Sequence, residues 1–137
     1  MAESIEKLKI YKSAQALQDE VFKLVRQFPA DKINSLGADL RRSSAAVSHH
    51  IAGAHRLFSY RLKLDELSAM RREAAVAQKQ LESAHNFVGT AQLRAEYTTI
   101  IKQSLGISNC LNIKIEQTQR KRSVSTDSKM FTVSTQS

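Results

Sequence analysis

The chain has no tryptophan, one proline, one cysteine and four glycines among its 137 residues. A lone cysteine excludes a disulfide within the chain. Cys110 lies in an apolar helical pattern and is expected to be a small buried side chain. So few breakers exclude the frequent turns of an all-β domain and favour long helices. Aromatic side chains make up only 6%, so the core must be mostly aliphatic and small. No apolar run approaches the ~20 residues that a membrane-spanning helix needs. The opening "MAESIEKLKI" is too charged for the apolar stretch of a signal peptide. A cytoplasmic protein with no membrane partner is expected. Acidic residues are also scarce: 13 Asp and Glu face 21 Lys and Arg, a formal charge of +8 and a pI near 9.9. Such a balance suits a polyanion, whether RNA, DNA or an anionic membrane surface, unless the protein is simply basic and soluble.

What is present is helical periodicity. In a first segment, about Ile5 to Phe28, residues Ile5, Leu8, Tyr11, Ala14, Leu17, Val21, Leu24 and Phe28 form one apolar stripe. Pro29 stops it, because the residue before proline avoids the helical region; Asp31 is placed to cap the next helix. A second segment, about Lys32 to Ala52, carries Ile33, Leu36, Leu40, Ser44, Val47 and Ile51, with Gly53 as its exit. A third, about Ser59 to Val88, repeats Leu67, Met70, Ala74, Ala77, Leu81, Ala84 and Val88 at alternating gaps of three and four, the seam of a left-handed bundle. Gly89 and Thr90 read as a helix end followed by an N-cap, a turn short enough to require an antiparallel neighbour. The fourth segment, about Ala91 to Gln117, is apolar on more than one side through Leu93, Tyr97, Ile100, Ile101, Leu105, Ile107, Leu111 and Ile115. Its second side is either a wide core stripe or a subunit contact. The expected fold is all-α: an antiparallel up-down four-helix bundle over residues 1–118, then a basic, Ser/Thr-rich flexible tail over 119–137 that buries too little apolar surface to order itself.

These motifs resemble the bacterial four helix bundle proteins first known from intervening sequences of 23S ribosomal RNA genes. The carriers are the Phe-Pro that closes "KLVRQFP", the Arg-Arg, small residues and Ile-Ala of "LRRSSAAVSHHIAGAHR", and "LSAMRREAAVAQKQL" in the third segment. The chain departs from that pattern at His50, where the family has Asn, at Gly53 and Ala54, where it has Glu-Gly, and at Val76, where Glu is common. His50 can keep a hydrogen bond, but the missing carboxylate should make the turn after the second helix more basic. A chain departing in this way is also similar to the accessory proteins of diversity-generating retroelements. That resemblance implies a homopentameric ring that binds a reverse transcriptase and nucleic acid. The fold is alike in both groups, and an intervening-sequence scaffold with incidental nucleic-acid affinity remains the alternative.

No catalytic constellation is legible. His49 and His50 point about 100° apart on a helix and cannot share a metal. No i, i+4 histidine pair and no glycine-rich phosphate loop occurs. Neither an enzyme nor a cofactor is expected. The candidate nucleic-acid residues are Arg41, Arg42, His49, His50, His55, Arg56, Arg61 and Lys63, then Arg71 and Arg72 on the third helix, and Arg120, Lys121 and Arg122 at the head of the tail. Arginine suits phosphate because its planar fork donates several hydrogen bonds at once. Base-specific reading is not expected, for want of an aromatic platform or a zinc or helix-turn-helix signature. The bare centre of the second helix, Ser43, Ser44, Ala45, Ala46 and Ser48, lets backbones approach closely, in the interior or at a subunit seam.

Overall fold

Apolar spacing of three and four residues becomes helix throughout the computed structural model, which describes the backbone of residues 2–136 and the side chains of residues 8–124. Helix α1 spans Ala2–Val25. After Pro29 come a single turn, α2 (Ala30–Lys32), and a π-helical turn (Ile33–Gly37) that runs straight into α3 (Ala38–Arg56). Helices α4 (Tyr60–Ala84) and α5 (Ala91–Gln136) complete the order, with no strand among the described residues.

Helix α3 packs on α1 and α4, and α5 closes the ring by packing on α4 and α1. Consecutive long helices are therefore neighbours, and short connectors make them antiparallel. At one pole the rings of Phe28 and Phe87 meet edge to face, 5.0 Å between centroids. The opposite pole holds the start of α1, the end of α3 and the start of α4. Helix α5 passes beside that pole and continues beyond it.

The core repeats the expected spacing with two changes of phase. In α1 the buried positions are Ile10, Ala14, Leu17, Val21 and Val25, followed by Phe28 in the turn. Leu8, placed in the stripe from the sequence, is 54% exposed; Ile10 points inward instead. Ile5 lies outside the described side chains. Helix α4 buries the whole heptad seam from Leu67 to Ala84, while Val88 is half-buried beyond the helix end. Helix α5 buries Tyr97, Ile100, Ser104, Ile107, Ser108 and Leu111; Leu93 and Ile101 pack half-buried against the core, so its wide stripe is partly covered within the chain, while Leu105 and Ile113 stay exposed. Cys110 is exposed, not buried, because it falls one residue off the stripe that Ile107 and Leu111 define.

Small residues set the helix spacing. Ser43, Ser44 and Ser48 of α3 and Ala74 and Ala77 of α4 are all buried, and α3 and α4 share the most extensive interface in the bundle. The Ser44 hydroxyl donates its proton to the Arg41 carbonyl at 3.0 Å within its own helix.

Several local expectations give way to tertiary contacts. Asp31 lies within α2 and does not cap it; Pro29 holds the N-cap position and no side chain bonds there. Gly53 does not end α3, which continues to Arg56. A Cβ on Gly53 would stand 3.0 Å from Glu66 Oε2, so glycine here makes room for a side chain of α4. Thr90 does precede α5, but its buried hydroxyl has no hydrogen-bond partner, and only its carbonyl, accepting from Arg94 N–H at 3.0 Å, begins the helix. The backbone does not break at residue 118: α5 continues to Gln136. What ends there is burial, since every residue from 116 to 124 is exposed; the tail side chains from 125 onward, Asp127 and Lys129 among them, lie outside the described residues.

Gly37 ties the π-helical turn to α1. A Cβ at this position would meet Val25 Cγ1 at 2.7 Å and the Lys32 carbonyl oxygen at 3.3 Å. Gly37→Ala is expected to lower the unfolding free energy by about 1–3 kcal/mol, the usual range for forcing a methyl into a filled interior, measured as a lower urea midpoint with an unchanged slope.

Candidate nucleic-acid interface

The thirteen basic candidates do not form one patch. Arg41 and Arg42 sit in the first turns of α3 and Arg56 at its last residue; at 1.5 Å per residue they stand about 22 Å apart along the axis. Arg42 is exposed and its guanidinium reaches Asp39 at 3.3 Å. His49 and His50 lie in mid-helix, with ring centroids 5.7 Å apart. His50 Nδ1 is 2.8 Å from Glu66 Oε2. The carboxylate expected to be missing from this region is therefore present, supplied by α4 in place of α3.

Two candidates are used inside the bundle. Lys63 is 9% exposed, and its ammonium donates to the Ala54 carbonyl at 2.9 Å. It satisfies one of the orphan carbonyls in the last turn of α3, where the helix dipole also favours a cation. Arg71 donates through one nitrogen to Ser104 Oγ at 3.2 Å and Ser108 Oγ at 3.0 Å, joining α4 to α5. Burial pushes the Arg71 guanidinium below its ordinary pKa. Arg72 is exposed and bonds Ser68 of its own helix at 3.2 Å. Removing Lys63 should therefore act on folding: Lys63→Ala is expected to cost about 1.5–3 kcal/mol, the range for a hydrogen bond to a charged group, with any nucleic-acid affinity unchanged. Thermal unfolding and a binding isotherm on the same sample check both halves.

The remaining candidates gather around the α3–α4 pole. Arg56 and Arg61 flank the connector and are exposed. His55 and Arg56 border an apolar hollow between α3 and α1, floored by Leu8, Tyr11 and Ile51. A second hollow brings the start of α4 to the far half of α5, where Tyr60 and Arg61 face Ile115, Thr118 and Arg122. The Lys114 ammonium stands 5.7 Å from the centre of the Tyr60 ring, a cation–π contact. Arg120, Lys121 and Arg122 are exposed on the part of α5 that projects past the bundle. No described carboxylate comes within ion-pair distance of Arg56, Arg61 or Arg122.

Two pole residues left little or no mark in the basic pattern of the sequence. Lys114 belongs to no basic run, and only the crossing of α5 over the pole brings it to Tyr60. Phe58 is 98% exposed; its signal was available, since it lies between two helices and in no apolar stripe.

Among the described residues no group of three potential metal ligands converges, and no helix is long and apolar enough to cross a membrane. Neither a curated protein nor a solved structure gave a match. The model of the 23S rRNA-intervening sequence protein family does match, over residues 6–113, a span that takes in α3 and α4 whole and ends just before burial ends on α5. The chain belongs to the 23S rRNA-intervening sequence protein family.

Proposed function

We propose that the chain is a non-catalytic, homo-oligomeric protein that holds RNA or DNA by its backbone phosphates and serves as an accessory to a reverse transcriptase, as in a diversity-generating retroelement. One observation carries this reading: exposed Arg61 and Arg122 line one hollow and exposed Arg56 flanks the connector at the same pole, none with a carboxylate partner among the described residues, on a chain of formal charge +8. Such a pole focuses a positive potential that a polyanion would neutralise. The uncovered Leu105 and Ile113 of α5 support association between copies. Five copies in a ring would sum weak phosphate contacts into avidity, and the bound anion would relieve the repulsion among them. The test pairs two measurements. Sedimentation should give about five times the 15.4 kDa protomer mass. Duplex-DNA affinity should fall with salt at a log–log slope of about −0.9 per phosphate neutralised. A salt-independent affinity, or a monomer at micromolar concentration, defeats the reading.

The exposed Leu62, Leu105 and Ile113 favour a second reading, a scaffold whose partner is a protein and whose nucleic-acid affinity is incidental. It predicts partner capture that survives charge reversal at Arg56, Arg61 and Arg122.

A further inference from the structure

The α3–α4 connector carries an aromatic ring into solvent on a braced backbone. Leu57 and Ser59 are extended, and Phe58 between them is 98% exposed. Both sides of the connector are tied down. Leu57 N–H donates to the Gly53 carbonyl at 3.3 Å, and Ser59 Oγ accepts from Leu62 N–H at 3.3 Å to cap α4. Lys63 closes the same turn from within through the Ala54 carbonyl. Phe58 is thus presented by a braced turn. Two residues on in the chain is a second, partly exposed ring, Tyr60, with Lys114 over its face. Exposed Arg56 precedes Phe58 by two residues, and Arg61 and Arg122 line the hollow next to Tyr60. Asp65 and Glu116 are the exposed carboxylates on the neighbouring stretches of α4 and α5, and they are outnumbered.

We infer that this turn is a stacking point for an unpaired base of single-stranded nucleic acid, with Phe58 against the base and Arg56, Arg61 and Arg122 on the adjoining phosphates. The inference rests on the reading that the pole holds nucleic acid, and adds which form of it: single strands in preference to duplex. An aromatic face and a cationic groove are the two parts such sites combine, and stacking tolerates any base because every base has a π-face. Charge decides against a second copy as the occupant, since a facing pole would oppose like cations.

The experiment uses the full chain, a fluorescein-labelled oligothymidylate and a labelled DNA duplex of the same length. Phe58→Ala should weaken oligothymidylate binding by about fivefold or more, leaving duplex affinity and assembly mass unchanged. The chain has no tryptophan, so Phe58→Trp provides a sole indole. Its affinity should match the wild type, and its emission should be quenched as oligothymidylate saturates. Saturation without quenching, or equal loss on single strand and duplex, overturns the stacking point while leaving phosphate binding standing. A drop in assembly mass in Phe58→Ala overturns it too and makes Phe58 a subunit contact. If the wild type binds neither probe at low salt, the proposed function fails along with it.

Discussion

Tyr97→Ala is expected to destabilise the bundle by about 3–5 kcal/mol, as for other large-ring truncations, whereas Tyr97→Phe should leave stability unchanged or raise it by up to about 1 kcal/mol. The contrast arises from where the two parts of the side chain sit. Tyr97 is 1% exposed and is among the largest fully buried side chains. The bare centre of α3 makes room for it: Ser44 and Ser48 are buried in the same interior, and a larger residue at either position would compete with the ring. Removal of the ring therefore leaves a cavity that four braced helices cannot close. The phenol oxygen contributes little: it makes no hydrogen bond of good geometry, since the nearby Ser44 hydroxyl gives its proton to the Arg41 carbonyl. Replacing it by hydrogen removes an uncompensated polar group.

The same residue gives a pH dependence with a definite sign. Burial pushes the Tyr97 phenol well above its ordinary pKa and outweighs the opposing effect of the Ser44 hydroxyl, while the Glu96 carboxylate adds a lesser push upward. The folded chain thus binds the phenolic proton more tightly than the unfolded chain. Its contribution is complete below the ordinary phenol value of about 10 and is lost as pH rises above it. Tyr97→Phe should lose less stability than the wild type between neutral pH and pH values above about 10. Parallel curves for the two proteins would show that the phenol ionises freely in the folded state.

How far the sequence could be read depended on which residues carry the pattern. The α4 seam was legible from Leu67 to Ala84 because its residues alternate at gaps of three and four and no second apolar stripe competes; only Val88, beyond the helix end, fell outside it. Helix α1 was less so: Leu8 and Ile10 are both apolar, and only the packing of α3 and α5 against α1 selects Ile10. Neither the π-helical turn nor the role of Gly37 leaves a local mark, since both answer to Val25 and Phe28 in another element. Gly53 looked like a helix end because the signal for one is a glycine; its actual constraint is the Glu66 carboxylate that reaches His50. On the candidate interface, a lysine in a first helical turn reads the same whether its ammonium faces water or, as in Lys63, the end of another helix. Grouping Arg41 with Arg56 rested on nearness in sequence, although the rise of one helix already separates them by about 22 Å.

That separation makes charge reversal informative. The triple change of Arg56, Arg61 and Arg122 to glutamate is expected to reduce nucleic-acid affinity by about a hundredfold or more near 0.1 M salt, and to flatten the log–log salt slope by about 2.7, or 0.9 for each lost phosphate contact. All three guanidinium groups are exposed on one pole, so reversing them should cost the fold little. Arg41→Glu with Arg42→Glu tests the other end of α3. There Arg42 already faces Asp39 at 3.3 Å, so a footprint confined to the α3–α4 pole should lose less than about tenfold, under one contact's worth of released counterions. Equal losses from the two sets would mean a polyanion running the length of α3. No loss from either set would transfer the function to the apolar surfaces, where Leu62, Leu105 and Ile113 remain uncovered.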